Sequence, residues 1–171
     1  MNRDFAAGFL AGIALLFLVS VFFFPAYSVE VVSSPGAESE IVSLIDSSSE
    51  SVYIDVYILT SEEVVDSLVA AHQRGVDVRV ILEHRVSGGA NNYAFSRLSG
   101  AGIGVCWASD AYKLSHPKIM IVDGRKALVG SHNLSNSALN YNREVSLLVE
   151  GNIVREVLSL FESDWSACSP A

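Results

Sequence analysis

His116, Lys118 and Asp123, followed by Gly130, Ser131, His132 and Asn133, put an imidazole, an ammonium and several hydrogen-bonding groups into one short stretch of the chain. Imidazole is a nucleophile and proton carrier near neutral pH, and a lysine placed beside it stabilises anionic oxygen. Chemistry on a phosphate group is the first expectation.

Two paired strands would position these groups. Lys118 to Val122 is β-branched or apolar after its first residue, Asp123-Gly124 is a hairpin signal, and Lys126 to Ser131 reads as the returning strand. Residues two apart in a strand share a face, so His116 and Lys118 point the same way. A two-residue loop at Asp123-Gly124 sets residue 116 opposite 131; a loop at Gly124-Arg125 sets 116 opposite 133 and 118 opposite 131. Either register gathers His116, Lys118, Ser131 and Asn133 on one face, whereas a three-residue loop would break that inference by turning the side chains over. Asp123 has the opposite parity from His116 and reads as a turn and structural residue. His132 has the wrong parity for the site and reads as structural or surface.

The spacing His-x-Lys, four residues, Asp, six residues, Gly-Ser-x-Asn resembles the HKD motif of the phospholipase D superfamily, matched at His116, Lys118, Asp123, Gly130, Ser131 and Asn133. Asn142-Arg143-Glu144, opening the apolar run Val145 to Val149, is similar to the glutamate-bearing strand of that family. The small size and single motif most resemble its small bacterial endonucleases, and secondarily the mitochondrial cardiolipin hydrolase group, which also has an amino-terminal membrane segment. The resemblance implies a metal-independent phosphodiesterase without cofactor. A neutral His116 would attack phosphorus to give a phosphohistidine, Lys118 and Asn133 would stabilise the non-bridging oxygens, and Glu144 would orient His116. Ser131 would assist phosphate binding or satisfy a backbone group. Proton delivery to the leaving group calls for a second histidine, but His72, His84 and His132 are followed two places later by Arg74, Val86 and Leu134, none a lysine. The resemblance therefore implies a homodimer in which each chain supplies one His116 across an isologous interface.

The amino terminus carries a second signal. No charged residue falls between Phe5 and Val29, and Phe9 to Phe24 is almost wholly apolar, long enough to cross roughly 30 Å of hydrocarbon as a helix. Residues 5–27 read as a membrane anchor; the rival is a cleaved signal peptide ending near Ala26-Tyr27-Ser28. Arg3 is offset by Asp4, and the segment that follows holds only acids, Glu30, Glu38 and Glu40, which places the catalytic domain outside the cytoplasm.

Division of the chain follows, with residues 1–28 as anchor or signal segment and residues 29–171 as one catalytic domain, enough for one core and too few for two. The net charge of −8 opposes nonspecific binding of nucleic acid, so a nuclease needs a locally basic cleft, for which Arg85, Lys113, Lys118, Arg125 and Arg143 are candidates. Cys106 and Cys168 are the only cysteines and show no metal-ligand spacing. They either form one disulfide or remain a core thiol and a tail thiol.

Strands and helices alternate between anchor and motif. Val29 to Ser33, Val52 to Leu59, Val76 to Glu83 and Ile103 to Trp107 read as strands; Glu38 to Ser47, a helix ending at Gln73 behind a Thr60-Ser61-Glu62-Glu63 capping box, and Tyr93 to Leu98 read as helices. Asn152 opens a last helix running to about Trp165. The order predicts an α/β fold, a phospholipase D-like α/β/α sandwich on a mixed sheet, preceded by the amino-terminal transmembrane helix. His84 and Arg85 follow a strand, where loops reach active sites, and are candidate substrate contacts. Asp55 reads as a hydrogen-bonded structural residue; Trp107 and Tyr112 line the groove or pack as core.

Three function classes remain in view: a nuclease cleaving nucleic-acid phosphodiesters, a phospholipase D acting on membrane phospholipids, and a catalytically silent membrane-tethered binding protein.

Overall fold

The computed structural model describes residues 27–170. The elements run β1 (Val29–Ser33), α1 (Ala37–Asp46), β2 (Ser51–Val56), α2 (Glu62–Gln73), β3 (Asp77–Leu82), α3 (Asn92–Gly100), β4 (Gly104–Trp107), β5 (Lys118–Val122), β6 (Lys126–Gly130), α4 (Asn136–Asn140), β7 (Val145–Glu150), α5 (Ile153–Ala167) and β8 (Ser169–Pro170). The eight strands form one mixed sheet in the order β1-β7-β6-β5-β2-β3-β4-β8. β2, β3 and β4 run parallel, connected by α2 and α3, and the other neighbours are antiparallel. The membrane segment expected at residues 5–27 lies, but for Tyr27, outside the described residues, and no helix among those described is long and apolar enough to span a bilayer.

Both faces of the sheet are covered, but unequally. On one face Ile41 and Ile45 of α1, Val64, Val65 and Leu68 of α2, and Leu98 of α3 bury against Ile54, Val56, Val80, Leu82, Met120, Val122 and Leu128. On the other, α5 alone lays Val154 and Phe161 over Ile81, Cys106, Ile119, Ile121 and Ala127, and Phe161 stacks on Tyr53 with ring centroids 5.1 Å apart. Two-sided burial explains why β5 is apolar without alternation. Cys106 and Cys168 form a disulfide that ties the end of α5 to β4.

Local signals account for several boundaries. Ser61 caps α2 by accepting the Val64 N–H at 3.2 Å, but Val64 stands where a capping box needs an acid, and the Ser61 hydroxyl donates instead to Glu38 of α1 at 2.6 Å. β2 ends at Val56, three residues before its expected end, because the chain then leaves the sheet and Leu59 bridges to Leu134. That bridge carries the segment after β6 alongside the end of β2, where the site forms.

Candidate active site

β5 lies in the middle of the sheet, between β2 and β6, and His116 precedes its first residue, Lys118. The Tyr57 N–H donates to the Pro117 carbonyl at 3.1 Å, continuing the β2–β5 pairing for one more step. Lys118 Nζ stands 3.0 Å from His116 Nδ1 and 3.1 Å from Nε2, and donates to the His116 carbonyl at 3.2 Å. The Tyr57 ring packs 4.5 Å from the imidazole, centroid to centroid, and 5.2 Å from the ammonium. Burial and then the Lys118 charge lower the His116 pKa, so the imidazole is neutral at neutral pH, the form with a lone pair for attack. Burial likewise lowers Lys118, offset by the nearby Glu144 charge.

The hairpin register departs from both expected ones. Val122 pairs with Lys126 and Ile119 with Val129, leaving Asp123, Gly124 and Arg125 in the loop. Asp123 and Gly124 both have positive φ, 54° and 60°, and the Arg125 N–H closes the turn on the Val122 carbonyl, with Arg125 itself the extra residue. That residue reverses the parity. Lys118 now shares its face with Leu128, Gly130 and His132 rather than with Ser131 and Asn133. His132 is accordingly not a surface residue: it is 2% exposed, with Nδ1 2.6 Å from Ser146 Oγ and Nε2 without a partner. A cavity of about 10 Å³ beneath Lys118 is lined by His132 and Ser146. Burial keeps His132 neutral by lowering its pKa.

Ser131 and Asn133 reach this end of the sheet because the chain leaves β6 at Gly130. Ser131 Oγ donates to Glu144 Oε2 at 2.5 Å, and Asn142 Nδ2 donates to Glu144 Oε1 at 3.4 Å. Among the described hydrogen bonds, none joins Glu144 to His116; its carboxylate meets Ser131 instead. Asn133 is half-buried and its Oδ1 has no partner. Gly130 allows β6 and β7 to close up, since a Cβ there would run into the Cα, Cβ and Oγ of Ser146.

Asp123 sits at the opposite end of β5 from His116. Its carboxylate accepts the backbone N–H groups of Ser49, Glu50 and Ser51 at 2.7–3.1 Å and the Ser49 hydroxyl at 3.0 Å. Burial alone would raise its pKa, and these donors hold it below the ordinary value.

Arg85 does not extend into the site as a free substrate contact. Its fork is engaged by the buried Glu83, with Nε to Oε1 at 2.6 Å and an Nη2 bond to Oε2 at 2.7 Å. His84 lies 3.4 Å from Asp110 and edge-on to Trp107. Trp107 stacks flat on Phe95, centroids 4.0 Å apart, and packs against the core, whereas Tyr112 is exposed. The basic residues do not converge: Arg125 pairs with Glu50 at the turn end, and Arg143 donates to the Ser34 carbonyl. Among the described residues, no cluster of three or more His, Cys, Asp or Glu is arranged to hold a metal ion.

Residues 41–165 match the family model described as cardiolipin synthase, phospholipase D-like domain. Cardiolipin synthase A of Pectobacterium carotovorum is 28% identical over 154 residues, which cover 84% of this chain and 31% of that protein. Cardiolipin synthase A of Salmonella arizonae is 31% identical over 113 residues, 64% of this chain and 23% of that protein. The chain thus spans about a third or less of the length of these curated relatives. Among solved structures, the phospholipase D family member Nuc from Salmonella typhimurium aligns with a TM-score of 0.79 at 28% identity, over 85% of this chain and 99% of that one. NucT from Helicobacter pylori shares the fold, with a TM-score of 0.74 at 19% identity over 85% of this chain and 100% of that one.

Proposed function

This chain belongs to the phospholipase D-like family, and from that premise we propose that it is a metal-independent phosphodiesterase using His116 as nucleophile, and that its substrates are nucleic-acid phosphodiesters. The observation that carries the catalytic reading is the contact between a neutral His116 imidazole and the Lys118 ammonium, walled by Tyr57. The imidazole lone pair attacks phosphorus as the bond to the leaving oxygen breaks, and Lys118 and Asn133 take up charge on the non-bridging oxygens. A second His116, which the bound phosphate anion favours in its protonated form, gives its proton to the leaving oxygen. Water, deprotonated by that second imidazole, then cleaves the phosphohistidine to release a phosphomonoester and restore both histidines.

The second histidine comes from a second copy of the chain. Supporting this, Val31, Leu147 and Val129 lie side by side across β1, β7 and β6, 67%, 43% and 38% exposed. This apolar stripe lies on the face that α5 leaves bare and ends beside Ser131 and Glu144, so a two-fold contact there would bring two sites together.

The nucleic-acid reading draws on the resemblance of the single His-x-Lys motif to that of the superfamily's small endonucleases and on the likeness to Nuc, at 28% identity and a TM-score of 0.79. The phospholipid alternative draws on the names of those relatives and on the apolar segment at residues 5–27. We place the catalytic domain outside the cytoplasm, held by that segment or released after its cleavage, and the Cys106–Cys168 disulfide favours such an oxidising compartment.

The purified protein, in EDTA, is offered single-stranded DNA or vesicles of phosphatidylcholine and cardiolipin, alongside His116→Ala. DNA cleavage that survives EDTA and vanishes in His116→Ala is the expected result. Turnover of vesicles alone transfers the assignment to phospholipid, turnover lost in EDTA removes the metal-free mechanism, and binding without turnover makes the chain a tethered binding protein.

A further inference from the structure

We propose that Glu83, working with Arg85, is a positioning residue for His116: the pair clamps the loop before β5 and so fixes the nucleophile. This rests on the reading of His116 as nucleophile. His116 lies at the end of an irregular segment, Ser109 to Pro117, and neither its own N–H nor the nitrogen of Pro117 is bonded to the sheet. Its immediate neighbours are held instead. On one side the Ser115 N–H donates to Glu83 Oε2 at 2.7 Å; on the other, the Pro117 carbonyl accepts from Tyr57.

Glu83 is 1% exposed and is gripped in turn by the Arg85 guanidinium and the Arg85 N–H, the latter at 2.8 Å. Arg85 also donates to the Tyr112 carbonyl at 2.6 Å and to the Ser109 carbonyl at 3.5 Å, so the ion pair holds both the beginning and the end of the loop. One buried amide joins the two brackets. Asn91 Nδ2 donates to the carbonyls of Glu83 and Tyr57, each at 2.8 Å, while its Oδ1 accepts the Leu59 N–H at 2.9 Å. The three side chains of this brace, Glu83, Arg85 and Asn91, are engaged inside the protein, which leaves them no part in the chemistry except through His116.

The clamp does not open with pH in any working range. Burial pushes the Glu83 carboxyl up, but the bonds from Arg85 and Ser115 outweigh it and hold its pKa at about 2. Displacement of a reacting group by about 1 Å costs on the order of 100-fold in rate, so a slackened loop should lower turnover without weakening substrate binding.

The test uses the full chain and a chromogenic diester, bis(p-nitrophenyl) phosphate, so that it does not depend on the natural substrate. Glu83→Gln keeps the volume but has one acceptor oxygen and no charge; Arg85→Lys keeps the charge and loses the fork. We expect kcat to fall about 10- to 100-fold in each with KM within twofold, measured well below the melting temperature of each variant. Arg85→Lys, whose side chain is part-exposed, keeps the test decisive if Glu83→Gln fails to fold. A raised KM at unchanged kcat would make Arg85 a substrate contact and overturn the proposal, as would kinetics unchanged in both variants while His116→Ala is inactive. If His116→Ala itself turns over normally, the nucleophile assignment falls and the clamp's role falls with it.

Discussion

Glu83 and Asp55 are both carboxylates 1% exposed near the sheet, yet their surroundings drive them in opposite directions. Glu83, just past the end of β3, meets a guanidinium and two backbone N–H groups, and its pKa is held at about 2. Asp55, inside β2 and under α5, meets the Asp164 carboxyl and the more distant Glu83 charge; burial first, then these neighbours, push it up to about 7, and its Oδ2 has no hydrogen-bond partner. Burial is common to both, so the partners decide the charge. One acid is a permanent anion that holds a loop; the other keeps its proton over much of the acid range and leaves the fold sensitive to pH.

The sharpest way to break this contrast is to remove each acid. Glu83→Leu leaves the Ser115 N–H and the part-exposed Arg85 fork without their partner, and should give the largest loss of stability among these variants, read by urea denaturation at pH 7. Asp55→Leu should cost far less at pH 8, or stabilise, because it removes a charge that has no cation near it; equal losses would erase the distinction. Next in size, Cys168→Ser opens a crosslink spanning 62 residues and should lower stability by about 2–4 kcal/mol. It should also weaken the influence of Asp55, since the crosslink holds the helix that carries Asp164.

A smaller effect is the pH slope. Asp55 in the folded protein keeps a proton that the unfolded chain loses above its ordinary value of 3.8, so stability should fall as pH rises from about 4 to 7, by at most about 1.4 kcal/mol per pH decade. Glu83 works the other way, with its contribution full above 4.5 and lost as pH falls towards about 2. Asp55→Asn should flatten the upper limb and leave the lower one; an unchanged upper limb would refute the assignment. Least of all, Glu162→Gln removes an exposed partner 3.6 Å from Arg79 and should move stability by less than about 0.5 kcal/mol.

Most strands, and the helices that carry the core, were legible because their apolar runs are long and their borders carry Ser, Gly and Asp. The limits of β5, Lys118 to Val122, coincide with the apolar run itself. What escaped was decided by one residue or by a distant partner. Arg125 is an ordinary loop residue by type, and nothing in it announces that it adds a third position to the turn, yet it moved His132 indoors and changed how Ser131 and Asn133 approach the site. Arg85 resembled a cation available to substrate because Glu83, two residues earlier, read as the last residue of a strand; only the fold turns both side chains onto the loop at 109–115. Asp55 could not be paired from sequence, since Asp164 lies more than a hundred positions away on α5. α4, five residues long, offers too few positions for periodicity to register. The Cys106–Cys168 bond was open to either reading, because spacing says nothing about whether two Cα atoms come within 5.9 Å.

The short β8 has a practical side. Its backbone pairs with Cys106 and Trp107 and covers the outer rim of β4, which would otherwise present unpaired N–H and C=O groups to passing chains. Handling at the bench inherits this. A purification tag that pulls residues 168–170 off the sheet, or a reducing buffer that frees Cys168, would uncover a sticky rim on a protein whose opposite flank already shows valines and leucines to solvent. Losses to precipitation under those conditions would then reflect strand recruitment between molecules, curable by moving the tag or omitting the reductant.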